Sequence, residues 1–175
     1  MKPVILSFIL LIGVMLAVAW MNGRFGTNLN GKNKEISENS LYFEPETSLT
    51  VGGNGEINLM AKNTASPITS FWINFNFDSP IVKVDSITVN KDVFDVVDTI
   101  ELNQTMGIVT IRAKSNLSAA NLKTGIQKLA TLKIEGLKKG TSTFVGVRRP
   151  EVTIFENGKS TPGNFQMVPF RVGVK

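Results

Sequence analysis

Beyond residue 40 the chain alternates apolar and polar side chains with a period of two. In "EINLMAK", Ile57, Leu59 and Ala61 fall on one side while Glu56, Asn58, Met60 and Lys62 fall on the other. "GIVTIRAK" sets Val109, Ile111 and Ala113 against Thr110, Arg112 and Lys114. "VPFRVGVK" sets Val168, Phe170, Val172 and Val174 against Pro169, Arg171, Gly173 and Lys175. Such alternation predicts strands with one face in a core and one in water. The most aromatic stretch, "SFWINFNFDSP", follows the same rule: Phe71, Ile73, Phe75 and Phe77 read as core, while Trp72, Asn74 and Asn76 face the other way. Further strands are predicted at Leu41–Phe43, Leu49–Val51, Ile81–Val89, Gln127–Ile134, Thr143–Val147 and Val152–Phe155. Gly-, Asn- and Pro-containing turns such as Gly52-Gly53-Asn54-Gly55, Asp78-Ser79-Pro80 and Asn157-Gly158 separate them. "SAANL" (Ser118–Leu122) reads as one helical turn in a long loop, and Pro169 places the last strand at a sheet edge, since proline cannot donate to a ladder. About nine short strands with no amphipathic helix predict an all-β, antiparallel β-sandwich.

The first forty residues break this pattern. "MKPVILSFILLIGVMLAVAWMNGRFG" carries Lys2 and then runs apolar from Pro3 to Met21, which predicts one apolar N-terminal helix. Small residues at Ala17 and Ala19 fit a cleaved secretory signal, and the length equally fits an uncleaved membrane anchor with Trp20 at the interface. Either reading exports the rest of the chain to the cell surface or beyond. Residues 22–40, rich in Asn, Gly, Lys and Ser, read as a flexible spacer. The expected organisation is a signal peptide or anchor over 1–21, a linker over 22–40 and a domain over 41–175.

Composition narrows the function. Of the 175 residues 42% are hydrophobic and 19% charged, so the chain can bury a core. The net charge of +5 is spread along the length, without the basic cluster that a nucleic-acid partner requires. There is no Cys and no His, which excludes a Cys/His zinc site, a Ser-His-Asp triad, a Cys nucleophile, disulfides and a lipidated cysteine. Asp92, Asp95, Asp98 and Glu101 form the most acidic stretch, but they alternate between faces and lack a calcium-loop pattern, so they read as solvated edge charges. Arg148-Arg149-Pro150 is a small basic cluster at a strand end; it could contact an acidic polymer, but it reads first as a solvated turn. No carboxylate pair has a spacing that points to glycosidase chemistry, so no catalytic residue, metal or cofactor is expected. The candidate binding residues are Trp72, Asn74 and Asn76. A tryptophan between two amides offers a rigid surface with hydrogen-bonding neighbours for a protein or a sugar. The competing reading packs Trp72 beneath a strand or loop as a satellite of the core.

The order of "SLYFEPETSLTVGGNGEINLMAKN", "ITSFWINFNFDSPIVKVDSI", "GIVTIRAK" and "KLATLKIEGLKKGTSTF" resembles bacterial cohesin-like domains over residues 41–175. The resemblance implies a nine-stranded jelly-roll sandwich related to several carbohydrate-binding modules, and a non-catalytic binding role. It implies a protein partner, a dockerin in the best-known members, or else a polysaccharide. It also implies contact through one flat sheet face, to which the strand equivalent to "SFWINFNFD" contributes, placing Trp72, Asn74 and Asn76 on the binding sheet. Alternatives are a pilin-like structural subunit and a membrane-anchored accessory subunit of a surface assembly. The pilin reading lacks the acidic residue it requires between Pro3 and Met21. Mass spectrometry of the mature N-terminus separates the two readings of the leader: a chain beginning at Trp20 has lost its anchor.

Overall fold

The computed structural model describes residues 36–175; the predicted leader and most of the predicted spacer lie outside them. Thirteen strands form among the described residues: β1 (Ser40–Glu44), β2 (Thr47–Leu49), β3 (Asn54–Asn63), β4 (Ile68–Asn76), β5 (Val82–Val89), β6 (Val96–Asn103), β7 (Ile108–Lys114), β8 (Gly125–Gly136), β9 (Gly140–Gly146), β10 (Glu151–Glu156), β11 (Lys159–Gly163), β12 (Gln166–Met167) and β13 (Phe170–Val174). A single 3₁₀ turn, Ala119–Asn121, falls inside the predicted "SAANL" turn. The strands build two sheets, as the period-two pattern requires. One runs β12-β1-β3-β8-β5; the other runs β11-β10-β4-β9-β13-β2, with β7 on the free edge of β4 and β6 outside β7. Pairing is antiparallel except for two short parallel pairs, β1 with β12 and β13 with β2.

The strand count exceeds the expected nine because several pieces carry little burial signal. β6 is exposed along most of its length, and β11 and β12 are short. The edge placement inferred from Pro169 is corrected: β13 begins one residue later, at Phe170, and lies between β9 and β2. Proline there costs no ladder bond, because it precedes the ladder. Ile36–Ser40, the end of the predicted spacer, is fastened to β3 and its end: Lys62 Nζ donates to the Ile36 carbonyl at 2.7 Å, and the Thr64 amide donates to Glu38 at 2.9 Å.

Between the sheets the inward residues close a single core. Phe43 of β1 crosses from one sheet to sit among three rings of the other, 5.4 Å from Phe75, 5.5 Å from Phe144 and 5.6 Å from Phe170. Edge-to-face and tilted rings at these separations add attraction beyond burial. A side chain also stitches the layers at their open edge. The Gln104 amide, in the β6–β7 connection, accepts from Val84 N at 3.1 Å and donates to the Val82 carbonyl at 3.3 Å. It thus caps the exposed rim of β5 in place of a strand. At this same C-terminal end of β4, Asp78 accepts from the Thr143 amide at 2.7 Å while its own amide donates to Ser142 at 2.9 Å. The Asp-Ser-Pro turn is therefore tied to β9.

Gly107 closes the β6–β7 connection at φ +62°, and a Cβ there would lie 2.1 Å from the Phe77 carbonyl oxygen. That carbonyl cannot retreat freely, because the Phe77 amide donates to the Gly107 carbonyl at 2.8 Å. Gly107→Ala is therefore expected to lower stability by at least about 1–3 kcal/mol, measured by urea denaturation, with a neutral outcome refuting the steric reading.

Candidate functional site

The outer face of the β6-β7-β4 sheet follows from the register. Because β4 buries Phe71, Ile73 and Phe75, it turns Trp72, Asn74 and Asn76 outward. Cross-strand partners share a face, so the register gives rows of side chains. Thr99, Arg112, Trp72 and Glu151 form one row from β6 to β10. Glu101, Thr110 and Asn74 form the next. Asn103, Ile108, Asn76 and Val145 form a third, running from β6 to β9. All three predicted site residues thus lie on one face.

Their surroundings differ. Asn76 is exposed. Asn74 donates from Nδ2 to Thr110 Oγ1 at 3.0 Å, while its Oδ1 is shut off from solvent without a hydrogen-bond partner. Trp72 is half-buried, and what covers it is charged: the guanidinium carbon of Arg148 stands 3.8 Å from the centre of its ring, and that of Arg112 stands 5.4 Å away. Arginine stacks well on an indole because its planar, weakly hydrated group meets the negative ring face, for about 0.5–2 kcal/mol. The two readings of Trp72 therefore both describe part of it. A connection does pack on the ring, and the ring still reaches the surface of the sheet.

Arg148 reaches this position through a division of the β4 edge. β9 pairs with Phe75 and Asn76, and the Val147 amide extends that ladder by donating to the Asn74 carbonyl at 3.0 Å. β10 takes over the same edge at Trp72 and continues to Ile68. The connection between them, residues 147–150, passes beside Trp72 and lays Arg148 on it. Arg148, in a bend, and Arg149 are both exposed, as the solvated-turn reading expects, and Arg148 in addition lies over the Trp72 ring. No local signal in the sequence could have shown this, since Arg148 and Trp72 are far apart in the chain. Arg112 was legible as an outward residue of its strand, but its neighbour was not.

The acidic stretch is dispersed. Asp95 accepts from the Asn116 amide at 2.7 Å. Asp98, at a bulge of β6, is shared between Arg112 Nε at 3.6 Å and Lys114 Nζ at 3.7 Å. Among the described residues no three carboxylates converge on one point.

No family model matches the sequence, and no curated protein matches it. Solved structures do. The OlpA cohesin of Clostridium thermocellum, determined in a type I cohesin–dockerin complex, superposes with a TM-score of 0.66 over 79% of this chain and 100% of its own, at 13% identity. The chain has the cohesin fold. A cohesin module from a family 33 glycoside hydrolase of Clostridium perfringens matches with a TM-score of 0.63 over 79% of this chain and 98% of its own, at 15% identity. A non-cellulosomal cohesin from the archaeon Archaeoglobus fulgidus matches at 0.60 over 79% and 92%, at 6% identity. A sandwich so widely shared leaves the outer-face side chains of this chain to set its own chemistry.

Removing Arg148 uncovers the ring. In the full chain with Trp20→Phe, Trp72 is the sole tryptophan, and Arg148→Ala is expected to shift its fluorescence emission to longer wavelength. The accompanying stability loss is about 0.5–1 kcal/mol, a few degrees in melting temperature. An unchanged spectrum would show that the stack does not form.

Proposed function

We propose that this chain is an exported, non-catalytic binding module that receives a protein partner, a dockerin-like module, on the outer face of the β6-β7-β4 sheet. The observation that carries this reading is the composition of that face. It is a sheet surface on which Trp72, Asn74 and Asn76 sit beside Val145 and Val147, 40% and 54% exposed. A large aromatic flanked by exposed aliphatics and amides is the mixture found at protein interfaces. The solved cohesins that share the fold support it, since several were determined with dockerins. The polysaccharide reading is weaker: stacking a sugar needs a bare aromatic face, and the Trp72 face is occupied by Arg148. Export rests on the apolar leader and spacer, and cell-surface tethering follows if that leader is retained.

The test is capture of dockerin-bearing proteins from the source organism's secreted fraction by the full chain, beside a glycan array. Trp72→Ala and Val147→Asp are each expected to weaken capture at least about tenfold, the loss of a hot-spot contact of roughly 1.4 kcal/mol or more, with melting temperatures within a few degrees of the parent. Trp72-dependent binding on the array, or capture indifferent to both substitutions, sinks the proposal.

A further inference from the structure

The guanidinium carbons of Arg148 and Arg112 stand 3.8 and 5.4 Å from the centre of the Trp72 ring, and both side chains remain exposed to solvent. Each has a carboxylate nearby, Glu151 at 3.8 Å from Arg148 Nη1 and Asp98 at 3.6 Å from Arg112 Nε. Both separations exceed hydrogen-bond length. Asp98 is moreover divided between Arg112 and Lys114. Neither guanidinium makes a direct hydrogen bond among the described residues. Contact with the Trp72 ring restricts the Arg148 side chain, so less freedom is lost when its N–H groups are engaged.

We infer that the Arg148–Trp72–Arg112 cluster is a preorganised seat for an acidic side chain of the protein partner, the partner placing a glutamate or aspartate on the guanidinium edges and an apolar residue against Val145 and Val147. This rests on the proposal that the outer face is the binding face, and it adds the chemistry of what binds there. A carboxylate is the group whose two oxygens match the paired N–H donors of a guanidinium. The source is a protein and not an acidic polysaccharide, because the adjoining Val145 and Val147 are exposed and apolar, a surface that a sugar chain does not cover well and a Leu or Ile does. Seating a carboxylate also gives Arg148 the direct hydrogen bonds that Glu151, at its present distance, does not supply.

The test is a ¹⁵N NMR titration of the full chain, reading the arginine Nε–H and Trp72 indole N–H signals. The probes are two helical peptides of identical length, one with Glu and Leu four residues apart and one with Gln in place of each Glu. Oligogalacturonate and inorganic phosphate are titrated alongside. The Glu peptide is expected to bind saturably, at least about fivefold tighter than the Gln peptide at low salt, and to lose most of that advantage at 0.5 M salt through screening. Arg148→Ala is expected to abolish the difference between the peptides, and Arg148→Lys to restore only part of it. Equal binding of the two peptides, no response to the Glu peptide up to millimolar concentration, a response unchanged in Arg148→Ala, or an equal response to oligogalacturonate or phosphate would each overturn the inference. Failure here while Val147→Asp still abolishes capture of a dockerin-bearing protein removes the acidic seat alone; if Val147→Asp is also without effect, the binding-face reading falls with it.

Discussion

Phe43 holds the architecture in register. It is the ring by which the five-stranded sheet enters the aromatic cluster of its neighbour, within 5.6 Å of Phe75, Phe144 and Phe170. Phe144 in turn stacks on Phe77 at 5.6 Å, so the anchor reaches the end of the strand that carries the candidate site. A strand locked by its inward rings has no freedom in what it shows outside. A slip of β4 by one residue would carry Trp72, Asn74 and Asn76 into the core and expose Phe71, Ile73 and Phe75. The outward face is thus fixed by the inward one.

From that constraint the second feature follows. β4 is longer than either partner on its β9–β10 edge, so the edge is shared in tandem, and the chain must cross from one strand to the next beside Trp72. A large aromatic facing out from the interior of a sheet exposes much apolar surface to water, and the crossing supplies the side chain that covers it. Coverage by arginine differs from coverage by leucine. A leucine would make Trp72 a satellite of the core, whereas a guanidinium removes apolar area from water and leaves a charged, hydrogen-bonding edge at the surface.

What was legible in the sequence divides along the same line. β4, β7 and β13 announce themselves because one face is buried and the other is not, while β3 does so only in part, since Met60 on its outward side is also buried; the two-residue Asn157-Gly158 hairpin is readable from its chemistry, with φ of 52° and 76°. β6 was not legible. It is an edge strand with water on much of both faces and a bulge beside Asp98, so "VVDTIELN" carries no alternation for a core to impose. The outward direction of Trp72, Asn74 and Asn76 was legible for the same reason as the core. The stack of Arg148 on Trp72 was not, because it depends on where two strands hand over an edge, a property of topology that no local pattern encodes.

Identities of 6–15% to solved cohesins at TM-scores of 0.60–0.66 fit this division. At such identities the fold is carried by the pattern of burial and the placement of turns, which many residues satisfy. The outer face of a sheet lies under no such demand, since its side chains touch water or a partner and not the core. The fold therefore supplies a sheet face and its position, while the chemistry of that face depends on the outward residues. On the face proposed for binding those residues put two arginines around a tryptophan, so a partner docking there would have to satisfy guanidinium groups before it reached the ring.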